Sequence, residues 1–161
     1  RPARPRPHQP RGVGPNAWNP SERKQIQHQR RFYLLGQTLE GMQVWDVRRA
    51  VQTLRSAAGM KGVPLWLQSE GRMAGVTLYA ALFEKDITRL DLHNLPEFHM
   101  DGPFFLNVTR YLDIPQTLVM VAERSKIVLY EEGECSRSGA QALVEEFDFN
   151  GIQIRKPLSD Q

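Results

Sequence analysis

Apolar and polar positions alternate along this chain with two periods, and the period changes repeatedly. After Trp18 and the polar stretch 21–31, Phe32 to Leu39 is a short apolar run closed by polar residues, which suits a strand or a loop. From Met42 to Ser56 the apolar residues Val44, Val47, Val51 and Leu54 recur at helical spacing, with Asp46, Arg48, Arg49, Gln52 and Arg55 on the other face. Gly59 and Gly62 break that pattern, and Val63 to Leu67 follows as a short apolar run of the kind buried on both faces of a sheet. Residues 72–84 read as a second helix through Met73, Val76, Tyr79, Ala80 and Phe83, and Ile87 to Leu92 as a strand. A loop around Pro96, Gly102 and Pro103 leads to a helix expected over Phe104 to Tyr111 and a short one over Thr117 to Glu123. Lys126 to Tyr130 has the composition of a strand, Ser138 to Phe147 that of a helix, and Gly151 to Arg155 that of a final strand. Helices alternating with strands predict an α/β fold: a three-layer α/β/α arrangement around a mostly parallel sheet.

Charge divides the chain in two. The formal net charge of +3 over 161 residues hides an arm in which residues 1–31 hold eight bases against Glu22 alone, leaving the rest with thirteen bases and seventeen acids. Six of the eleven prolines lie in the first twenty residues, so residues 1–30 are expected to form a basic, Pro-rich arm, disordered or laid as a strap on a body spanning 31–161. Such an arm suits an acidic partner or a solvated tail. The lone Cys135 excludes an internal disulfide, and no apolar stretch is long enough for a membrane span or a signal peptide, which points to a soluble chain.

The segments Arg31 to Leu39, Val44 to Ala50 and Pro64 to Leu67, followed by Phe104 to Asn107, Tyr111 to Pro115 and Lys126 to Leu129, resemble the α/β-hydrolase superfamily, nearest to acetyl xylan esterase-type and related carboxylesterases. The resemblance covers about residues 31–157 and corresponds to the C-terminal half of a hydrolase domain. It implies a partial α/β-hydrolase fold, ester cleavage through an acyl-enzyme in the ancestral protein, no cofactor, and an upstream half-domain or partner chain covering the sheet edge. The family's Gly-x-Ser-x-Gly elbow places a serine on a sharp strand-to-helix turn. Here the turn reads Ser69-Glu70-Gly71-Arg72-Met73-Ala74-Gly75, so the nucleophile position holds Arg72 in one frame and Gly71 in the other. Ser69, the nearest hydroxyl, takes the place of the small leading residue. The acid is expected after the strand 126–130, where Glu131, Glu132 and Glu134 stand; a histidine is expected after the last strand, where the sequence has none. The resemblance therefore implies a degenerate catalytic apparatus, and a noncatalytic scaffold with a basic arm is the alternative.

His93 and His99, with Asp91 and Asp101, offer nitrogen and oxygen metal ligands or an Asp-His pair, against the simpler reading of polar residues at a strand exit. Cys135 with His99 would form a nucleophile and base only if folded together, and its acidic neighbours oppose thiolate formation. Gly71 and Gly75 lack the lysine and hydroxyl of a phosphate loop. Trp45, Trp66 and Tyr79 suit either a carbohydrate platform or, better, core packing.

Overall fold

The computed structural model describes residues 8–18, 21–131 and 151–156. Among these residues four helices, α1 (Glu22–Leu34), α2 (Leu39–Ser56), α3 (Arg72–Phe83) and α4 (Ile114–Ala122), accompany four strands, β1 (Leu65–Glu70), β2 (Ile87–His93), β3 (Lys126–Tyr130) and β4 (Ile152–Arg155). The strands form one sheet in the order β1-β2-β3-β4, and every pairing is parallel. This is the expected α/β architecture and is consistent with a three-layer plan, of which α2, α3 and α4 form one helical layer. Among the described residues no helix is long and apolar enough to cross a membrane.

The core follows from alternation along the strands. Leu90 and Leu92 of β2 and Ile127 and Leu129 of β3 point to the helical layer and are buried. They meet Ala74, Leu78 and Ala81 of α3 and Leu118 and Val121 of α4. Every residue of α3 from Ala74 to Ala81 is buried, because α3 lies between α2 and α4 above β1 and β2. The starts of α2 and α4 are secured by side-chain caps. Thr38 Oγ1 accepts from the Gly41 amide at 2.9 Å at the start of α2, and Asp113 with Gln116 forms a reciprocal capping box on α4.

Several sequence expectations change. In place of the polar stretch 21–31 followed by a strand or loop over Phe32 to Leu39, Glu22–Leu34 form a helix that crosses the expected arm boundary at residue 30. The expected helix over Phe104 to Tyr111 reduces to a single 3-10 turn at Val108–Arg110, entered through Asn107 at φ 58°. The first strand begins at Leu65 rather than Val63 and continues to Glu70; it is not covered on both faces, since Trp66, Gln68 and Glu70 are exposed. The helix expected over Ser138 to Phe147 lies outside the described residues.

The described part of the arm lies on α2 as a strap. Arg11 grips Asp46 through Nη2 at 2.6 Å, Nε at 2.8 Å and its backbone N–H at 3.1 Å, and Gln43 donates to the Arg11 carbonyl at 2.9 Å. The guanidinium hydrogen bonds hold the Asp46 carboxyl below its ordinary range.

Candidate functional site

Parallel strands deliver their C-terminal ends to one edge, where α/β proteins commonly place ligands. At that edge β1 ends at Glu70 and α3 begins at Arg72, so one residue, Gly71, makes the whole turn. Its backbone sits at φ 56° and ψ −130°, a region that side-chain-bearing residues occupy only under strain. The Gly71 N–H donates to the His93 carbonyl at 2.8 Å, and the Ala74 N–H donates back to the Gly71 carbonyl at 2.9 Å, which ties the turn to β2 and to the first turn of α3. No side chain caps α3, and a Cβ built on Gly71 would meet nothing within 4 Å. The turn thus has room for a side chain and carries none.

Of the two frames left open by the sequence, the strand-to-helix turn falls on Gly71. Arg72 is already the first residue of α3; its side chain lies against Gly102 and 4.0 Å from Glu40. Glu40 is buried, accepts from its own amide and that of Phe104, and has its carboxyl pushed up by burial. Ser69 points toward the helical layer with its hydroxyl buried and without a hydrogen-bond partner among the described residues. Gly75 is packed under Pro103: a Cβ there would come within 2.3 Å of Pro103 Cδ, so its smallness serves close packing.

The two histidines have different surroundings. His93 ends β2, stacks on Tyr130 at 4.3 Å between centroids, and has Nε2 3.1 Å from the Gln68 amide nitrogen. His99 is buried. Its Nδ1 is 2.6 Å from the Pro103 carbonyl and its Nε2 2.6 Å from the Tyr79 hydroxyl. A carbonyl only accepts, so Nδ1 donates to Pro103, while Nε2 pairs with the Tyr79 hydroxyl, and neither nitrogen is free. Asp91 is paired with Arg89 at 2.7 Å, and Asp101 is exposed. Among the described residues no three His, Cys, Asp or Glu side chains gather as a metal site.

Glu131, directly after β3, is buried, and its N–H donates to the Arg155 carbonyl at 3.3 Å. Glu132, Glu134 and Cys135 lie outside the described residues. Of the three aromatics weighed as a platform, only Tyr79 is buried. Trp45 and Trp66 are 48% and 61% exposed and carry the guanidiniums of Arg49 and Arg89 at 4.2 and 4.8 Å, so their expected burial in the core is corrected to cation–π stacking at the surface. Sequence reasoning passed over Gln68 and Tyr130; their period-2 placement beside His93 was the available signal.

The edge therefore combines backbone donors at the start of α3 with a histidine, a tyrosine and a buried glutamate, around a turn without an oxygen nucleophile. Compared with protein-family models, curated proteins and solved structures, the chain finds no match in any of the three.

Proposed function

We propose that this chain is an α/β-hydrolase-like domain, related to acetyl xylan esterase-type carboxylesterases, whose nucleophile has been replaced by glycine. The observation that carries the reading is Gly71: a positive-φ residue alone between a parallel strand and the next helix, at the C-terminal edge of the sheet. That is the place and backbone shape an elbow nucleophile requires, and glycine supplies the shape without the oxygen. The strand order and the helix preceding β1 support the same reading. Among the described residues β1 is paired on one side only, which leaves an edge for an upstream half-domain or a partner chain to cover.

Intact mass after treatment with a fluorophosphonate tests this proposal. The unlabelled mass is expected. A covalent adduct mapped to Ser69 or any other serine would overturn the loss of the nucleophile. Gly71→Ser restores the oxygen but not the base, so it is expected to remain without ester turnover; turnover by this variant would mean that an acid and base are already positioned.

A scaffold with a basic arm is the second reading, favoured by α1. Arg23, Lys24, Arg30 and Arg31 are all exposed on this helix. Polyglutamate binding at low salt, lost when these four residues become alanine, is the expected result for that reading.

A further inference from the structure

The opposite edge of the sheet carries a second feature. Where α2, α3 and α4 end and β1 and β2 begin, an open cleft of about 680 Å³ is lined by Arg55, Lys61, Lys85 and Arg124, with Asp86 as its one carboxylate. Helix C-termini gather here, and cations at such ends ordinarily answer the exposed carbonyls. Two of the four do so. Arg55 Nη1 donates to the Met60 carbonyl at 3.1 Å and also to that of Val63, while its Nη2 donates to the Asp86 carbonyl. Arg124 Nη2 donates to the carbonyls of Ala81 and Leu82.

Helix-end duty does not account for the lysines. Among the described residues neither the Lys61 nor the Lys85 ammonium makes a hydrogen bond or ion pair, and no carboxylate is paired with any of the four cations. The Arg55 Nε–H is buried without an acceptor. Fixed guanidiniums thus hold the rim of the cleft while two ammoniums stand free on it, and the volume lies within the range of small-molecule sites. We infer that this cleft binds a small multivalent phosphate-bearing anion, held by Lys61 and Lys85 against the charge of Arg55 and Arg124. It sits at the strands' N-terminal ends, across the sheet from Gly71, so its ligand is distinct from any ligand of the C-terminal edge and the inference stands without the hydrolase reading.

Calorimetric titration of the full chain with pyrophosphate, and separately with orthophosphate, tests the site. One pyrophosphate per chain is expected, bound more tightly than orthophosphate. Each lysine supplies a charge-assisted contact, so Lys61→Ala with Lys85→Ala is expected to weaken binding roughly a hundredfold, about tenfold per residue. Arg110→Ala, an exposed change in the 3-10 turn Val108–Arg110, is expected to alter it less than about twofold. Absence of saturable binding, equal affinity for both anions, or equal losses in the two variants would overturn the proposal. Thermal unfolding of each variant confirms that the fold is retained.

Discussion

Two irregular segments are fastened onto helices by opposite means. The loop from His99 to Phe105 is held on α3 by burial: Pro103 fills the space above Gly75, and the His99 ring bridges Tyr79 and the Pro103 carbonyl away from water. The strap around Arg11 is held on α2 by charge, in an ion pair whose guanidinium side remains 42% exposed. Nominally, the strap has the stronger partners. Solvent decides otherwise, because water competes for an exposed ion pair and cannot reach the histidine.

His99→Ala should break this contrast most visibly, since it leaves a void in the core and strands the Pro103 carbonyl; a loss of about 3 kcal/mol is expected in denaturant unfolding. Gly75→Ala drives a methyl into Pro103 and is expected to cost about 1–3 kcal/mol by the same measurement. Asp113→Ala removes the cap of α4 together with an acceptor for the His99 amide, at 3.0 Å, and should cost about 1 kcal/mol. Arg11→Ala should cost less than about 1 kcal/mol, and the difference from wild type should fade in 1 M salt while that of His99→Ala persists. A salt-insensitive Arg11→Ala penalty would mean that the strap is held by packing.

The pH dependence of the strap sharpens the same point. Asp46 has a folded pKa below its unfolded value, so its contribution is complete above the ordinary carboxylate range and is lost as pH falls through the lowered value. Glu40 has the opposite sign: its raised pKa favours the fold at acid pH, and that contribution disappears as pH rises through the folded value. Glu40→Gln is therefore expected to flatten the acid side of the stability profile, whereas Asp46→Asn should remove the acid-induced loosening of the strap, read from proteolysis near Arg11.

Periodicity made α2, α3 and β3 legible because each buries a face with a regular repeat. It failed at α1, where Arg, Gln and Lys favour a helix by propensity but Ile26, Phe32, Tyr33 and Leu34 form no continuous apolar stripe. It also failed at Phe104 to Leu106, whose apolar side chains belong to a segment wrapping the core rather than to a helix. The edge site was half visible. Sequence placed the turn between Ser69 and Gly75, but the choice of Gly71 over Arg72 depends on a backbone angle that residue identity alone leaves open. The His99 bridge was invisible for another reason, because its partner Tyr79 is twenty residues away in the chain.

The strand order has a kinetic consequence. Among the described residues each strand lies beside the one before it, so the sheet grows by addition at one side, and none of the four has to be threaded between two that have already paired. A polypeptide emerging N-terminus first can lay down β1, α3 and β2 as a unit, then add β3 and β4 in turn, without waiting for a distant segment to be synthesised.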